Sequence, residues 1–69
     1  MDLVEARAKR RKTQWDLRRV TGIHQSKISL IERGYVDASE EEKKKIAAAL
    51  EFSVAEIDWE IKLSVKVAS

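Results

Sequence analysis

Residues 13–34 read TQWDLRRVTGIHQSKISLIERG, and this stretch decides the fold. Two short helical segments are predicted in it, about 14–20 and 25–33. Leu17 and Val20 are expected inward on the first, and Ile28 and Ile31, three apart, inward on the second. Only Val20-Thr21-Gly22-Ile23-His24 joins them. Gly22 suits a helix stop because glycine accepts positive φ, and Gly34 stands just past the second segment in the same role. Thr13 precedes Asp16 by three, a variant capping box in which the hydroxyl accepts a helix-start N–H while the acid reaches back. Two helices joined by so short a turn predict a helix-turn-helix.

Reading outward, a helix is predicted over about 2–11, with Leu3, Ala6 and Arg7 on one face. Ser39 with Glu42, and Ser53 with Glu56, repeat the capping box and predict helices over about 40–50 and 54–58. Ile46, Ala47 and Leu50 face inward on the fourth. In the tail, Ile57, Trp59, Ile61, Leu63, Val65 and Val67 occupy alternate positions with polar residues between, which predicts a β-strand from about 60 to 67. A helical reading through Val54, Ile57, Ile61 and Val65 also fits. The expected architecture is therefore all-α, a compact five-helix domain over 1–58 with the helix-turn-helix at about 14–33. Residues 59–69 form a tail with a short C-terminal β-strand.

The chain has 69 residues, a length that suits one small domain. Lys+Arg is 14 and Asp+Glu is 12, a net +2 that hides an asymmetry. Residues 1–33 carry nine basic and four acidic groups, 9 − 4 = +5, and residues 34–69 carry five and eight, 5 − 8 = −3. A basic half beside an acidic half suggests one face meant for a polyanion. Cys is 0, which removes disulfides, thiolate catalysis and cysteine zinc sites. No apolar run approaches a membrane span of about 20 residues. The N-terminus turns basic with no apolar stretch, unlike a signal peptide. A cytoplasmic protein is expected.

The pattern T-Q-x-x-L-x-x-x-T-G-I-x-Q-S-x-I-S-x-I-E-R-G, from Thr13 to Gly34, resembles the Cro/phage-repressor (Xre-type) helix-turn-helix family. The resemblance extends through helix 4 and the segment Ser53-Val54-Ala55-Glu56-Ile57, about residues 3–58. It implies a lambda-repressor-like domain that binds double-stranded DNA in transcriptional control. By resemblance Gln25, Ser26 and Leu30 match base-reading positions, with His24 and Ser29 at their margins. Gln14 matches a residue that braces both a phosphate and the reading helix. Arg7 and Glu32 resemble a structural pair joining helix 1 to the end of helix 3.

The chemistry of these side chains agrees with that assignment. The second helix of such a motif lies in the major groove and reads bases from its N-terminal residues. Gln bonds adenine N6 and N7 together, Ser bonds several base edges, and Leu30 suits a thymine methyl. Gln14 stands at a helix start, where free N–H groups and the dipole favour an anion. Arg10, Arg11, Lys12, Lys27, His24 and Arg33 are further phosphate candidates, each otherwise a solvated surface residue. About five phosphates per protomer would give log K against log salt a slope near −4 to −5.

The chain departs from the family at several points. Arg18 replaces the usual small residue where the two helices touch, so either its stem lies across the contact with its head in water, or the helices sit further apart. Arg11-Lys12 replaces the usual Gly-Leu, Ala38 the usual Pro before the helix 4 cap, and Glu51 the usual Gly after helix 4. Asp37 and Glu40–Glu42 make the following loop acidic, so no phosphate contact is assigned there.

A lone His makes no metal site. Trp15 reads as a partly exposed helix residue and Trp59 as a core-rim or dimer contact. No constellation of catalytic groups is present, so no enzymatic activity, cofactor, small-molecule ligand or membrane partner is expected. The tail strand, with Trp59, Ile61, Leu63, Val65 and Val67, is expected to pair with a second copy, giving a homodimer suited to paired half-sites. The alternative is an antitoxin-like interaction module, whose strand adds to a partner protein while DNA binding autoregulates.

Overall fold

The computed structural model describes residues 1–61. Four helices follow in order: α1 over Leu3–Arg10, α2 over Gln14–Thr21, α3 over Gln25–Glu32 and α4 over Glu40–Ala49. Each begins at a capping side chain. Asp2 Oδ1 accepts the Glu5 N–H at 2.8 Å, a cap for α1 that the sequence reading had not picked out. At α2, Thr13 Oγ1 accepts the Asp16 N–H at 3.0 Å and Asp16 Oδ2 accepts the Thr13 N–H at 2.8 Å. Ser39 and Glu42 repeat this exchange at α4, at 3.1 and 2.9 Å. At α3 the cap is His24, whose Nδ1 accepts the Ser26 N–H at 3.1 Å.

Each helix ends where one residue turns left-handed: Arg11 (φ 56°), Gly22 (φ 79°), Gly34 (φ 78°) and Glu51 (φ 59°). After α1 the Lys12 N–H bonds back to the Arg7 carbonyl at 3.0 Å, and after α4 the Phe52 N–H bonds back to Ala47 at 2.9 Å. These bonds satisfy carbonyls that a helix end leaves orphaned. Arg11 and Glu51 carry a Cβ in a conformation that costs such residues about 1–2 kcal/mol. They are two of the positions where the sequence departs from the family's glycine.

The core gathers Leu3 and Ala6 from α1, Leu17 from α2, Ile28 and Ile31 from α3, and Ile46, Ala47 and Leu50 near and at the end of α4, with Ile23, Ala38 and Ile57 from the connections. Leu17, Ile28, Ile46 and Leu50 are the largest fully buried side chains. Each contributes about 1.5–3 kcal/mol on burial. α2 packs against both α3 and α4 and so helps to fix α3 to the rest of the domain.

Three expectations need correction. Val20 is 70% exposed rather than inward. The buried stripe of α2 runs through Leu17 and Thr21, four apart, because the Thr21 hydroxyl has backbone partners on that side and the turn begins there. The fifth helix is one 3-10 turn over Val54–Glu56. It stops because Ile57 is extended and buried, and the Asp58 N–H then donates to the Met1 carbonyl at 2.7 Å, leaving an isolated parallel bridge between Asp2 and Asp58. As for the tail, Glu60 and Ile61 have no regular structure, and no strand occurs among the described residues. Residues 62–67 of the expected strand, including Leu63, Val65 and Val67, lie outside the described residues.

Candidate nucleic-acid interface

Thr21 links the end of α2 to the turn that leads into α3. Its Oγ1 donates to the Leu17 carbonyl at 2.7 Å and accepts the Ile23 N–H at 3.1 Å, so one buried hydroxyl ties the last turn of α2 to the turn residue Ile23. Gly22 supplies the left-handed residue between them. A Cβ there would meet nothing within 4 Å, so conformation rather than space requires glycine. The role of Thr21 was not evident from sequence, although a threonine four residues after a helix leucine is placed for this back-bond.

From that corner a chain of polar contacts crosses three helices. The Arg7 guanidinium donates to both carboxylate oxygens of Glu32, through Nε to Oε2 and through Nη2 to Oε1. Its Nη1 donates to the Lys12 carbonyl at 3.0 Å. The Glu32 side chain is 6% exposed and that of Arg7 18%. Gln14 Nε2 donates to Glu32 Oε1 at 2.8 Å, and Gln25 Nε2 donates to Gln14 Oε1 at 2.7 Å.

The direction of this chain follows from its chemistry. An ionised carboxylate only accepts, so Glu32 takes the amide N–H of Gln14 and turns the Gln14 oxygen toward Gln25. Gln25 must then present its own N–H to Gln14. One amide hydrogen and the oxygen of Gln25 remain, the pair that adenine N7 and N6 require.

His24 and Ser26 form a second local unit. Nδ1 of His24 accepts the Ser26 N–H at 3.1 Å, and the Ser26 hydroxyl lies 2.9 Å from the same nitrogen. A serine hydroxyl can both donate to and accept from a base edge. Ser26 and Leu30, one turn apart on α3, are both exposed, while Gln25 and Ser29 are half-buried. The first turn of α3 contains no acidic residue. Its exposed side chains form a surface of the kind that enters a major groove.

The basic residues separate into groups. Arg11 and Lys12 are exposed in the connection that leads into α2, beside Gln14. Arg33 is exposed at the far end of α3 from Gln25. Lys27 is on the flank of α3 toward α4, where Nζ lies 2.8 Å from Glu42 Oε2. Together with the Ser39 N–H, that lysine holds the Glu42 carboxyl below the usual carboxylate range, the lysine bond being the larger cause.

Arg10 does not belong with the phosphate candidates. Its Nε donates to the Leu50 carbonyl at 2.7 Å and its Nη2 to that of Glu51 at 3.2 Å, and the guanidinium lies 4.1 Å from the centre of the Phe52 ring. It is a cap for the C-terminus of α4. Arg18 is half-buried. Its guanidinium stacks 4.9 Å from the ring centre of Trp15, which is 59% exposed. Trp59 packs against the core of its own domain and donates its indole N–H to the Val54 carbonyl at 3.0 Å. Among the described residues no group of His, Cys, Asp and Glu is placed to hold a metal ion, and no helix is long and apolar enough to cross a membrane.

A helix-turn-helix family model matches residues 3–57, from the first residue of α1 to Ile57. No curated protein and no solved structure matches the chain.

Proposed function

The chain belongs to the Cro/repressor type of the helix-turn-helix family, domains that bind DNA in transcription regulation, and on that premise we propose that it is a sequence-specific, repressor-like reader of double-stranded DNA. α3 lies in the major groove, Gln25, Ser26, Ser29 and Leu30 face base edges, and Gln14, Arg11, Lys12, His24 and Arg33 meet phosphates. The Gln14–Gln25 bond carries this reading. It orients an adenine-matching carboxamide in the first turn of α3 and anchors it, through Glu32, to α1. A half-buried glutamine held in this way loses little freedom on meeting a base.

Two copies reading half-sites one helical turn apart complete the proposal. Trp59 is engaged in its own domain, so the pairing is assigned to the alternating segment Ile61, Leu63, Val65 and Val67, whose pattern suits edge-to-edge association. Sedimentation of a chain truncated after Glu60 should show a monomer where the full chain shows a dimer. A truncated dimer overturns that assignment.

Selection of bound sequences from a random duplex pool at defined salt tests the main reading. A palindromic consensus with half-site centres about 10 bp apart is expected. Absence of enrichment over competitor duplex overturns it and points to a protein partner instead.

A further inference from the structure

Lys27 stands in the first turn of the helix proposed to enter the groove, yet its charge is already matched from within the protein. Glu42 is itself held in place on its other side. Its Oε1 accepts the Ser39 N–H at 2.9 Å as part of the α4 cap, and its Oε2 accepts Lys27 Nζ at 2.8 Å. The Glu42 side chain is 21% exposed and that of Lys27 46%. If Lys27 turned to a phosphate, the Glu42 carboxylate, still held by the Ser39 N–H, would lose its lysine partner.

We infer that Glu42 is a positioning residue that withholds Lys27 from the DNA backbone and so lowers the affinity of this domain for any duplex, whatever its sequence. The inference rests on the DNA-binding reading above. Its physical basis is the origin of sequence-independent affinity. Each lysine or arginine that neutralises a phosphate releases counterions, and the salt dependence of binding counts those contacts at about 0.9 per phosphate. Base edges are read by short-range hydrogen bonds that Lys27 does not make. Glu42 therefore scales binding to correct and incorrect sites together, shortening occupancy of non-cognate DNA without changing which sequence is preferred.

The test uses the full chain and three variants, Glu42→Gln, Lys27→Gln and the double variant. Binding is measured by fluorescence anisotropy to a random-sequence duplex and to the selected duplex, between about 50 and 200 mM salt. Glutamine retains the acceptor that the Ser39 cap requires, which keeps α4 intact.

Glu42→Gln should bind both duplexes more tightly by the same factor and steepen the slope of log K against log salt by about 0.9. Adding Lys27→Gln should restore the parent slope, while Lys27→Gln alone should leave it unchanged. A Glu42→Gln slope equal to the parent's overturns the inference, as does a Lys27→Gln slope already shallower by about 0.9, because Lys27 would then be on a phosphate in the parent. Should Glu42→Gln fail to melt cooperatively, the Lys27→Gln slope decides alone. A parent that binds no duplex at any salt overturns the DNA-binding reading itself, an outcome distinct from a binding parent whose variants share its slope.

Discussion

The side-chain amide of Gln25 donates to the side-chain oxygen of Gln14 at 2.7 Å, joining the first turn of α3 to the first turn of α2. The two residues are eleven apart in sequence, and the turn held by Thr21 brings them together. Gln14 passes the contact on to Glu32, near the other end of α3, so α3 is gripped at both ends by one connected set of polar groups.

Gln14→Ala should therefore affect recognition as well as stability. It removes two hydrogen bonds, each contributing about 1 kcal/mol or more to folding. Loss of the brace lets the Gln25 carboxamide rotate, and affinity for the selected duplex should fall about tenfold, with selectivity lost at the same base pair that Gln25→Ala relaxes. Because the two side chains act as a unit, the double variant should lose less than the sum of the single variants. Additive losses would show that Gln14 acts on its own.

Glu32→Gln should be more damaging to the fold. It leaves Arg7 charged and mostly buried without its carboxylate, and breaking a buried pair in this way costs about 3–5 kcal/mol. Urea unfolding should show the loss as a lower midpoint at an unchanged slope, and DNA affinity should fall with it. A variant that unfolds at the parent's midpoint and binds equally well would remove the pair from the account.

The left-handed residues that are not glycine offer gains. Glu51→Gly should raise stability by about 1 kcal/mol by relieving its backbone at φ 59°, with DNA binding unchanged. Arg11→Gly should give a similar gain, and here the two readouts separate: stability rises while the salt slope of DNA binding becomes shallower by about 0.9, because a phosphate contact is lost. Equal slopes would place Arg11 off the backbone.

Acid should loosen the start of α2. The Thr13 N–H, and then the Arg19 guanidinium, hold the Asp16 carboxyl down at about 2 against its ordinary 3.8. A lowered value means that the stabilisation is complete above 3.8 and is lost as pH falls toward and through about 2. The melting temperature of Asp16→Asn should thus lie below the parent's at neutral pH, and the gap should close across that acidic window. A gap that is constant with pH would show that the carboxylate charge is not what stabilises the cap.

Much of this molecule was legible in the chain. The Thr13 and Ser39 boxes and the glycines at 22 and 34 bound the reading unit through local chemistry, which needs no partner distant in sequence. Leu17, Ile28, Ile31, Ile46 and Leu50 could be placed inward for the same reason: their spacing follows the helical turn, and all of them are buried. The pairing of Arg7 with Glu32 came from likeness to a family rather than from any local rule.

Other features depended on contacts between elements far apart in sequence. Val20 and Thr21 compete for one inward place, and the winner is settled by a carbonyl and an N–H that only the folded turn presents. Arg10 is one more cation in a basic run until the end of α4, forty residues on, brings two free carbonyls to it. Lys27 is likewise an ordinary phosphate candidate until α4 sets Glu42 beside it. Sequence determined the elements and the motif because helices, caps and turns are built from neighbours. Tertiary structure decided which charges are paired within the protein, because that depends on what lies within about 4 Å of each one.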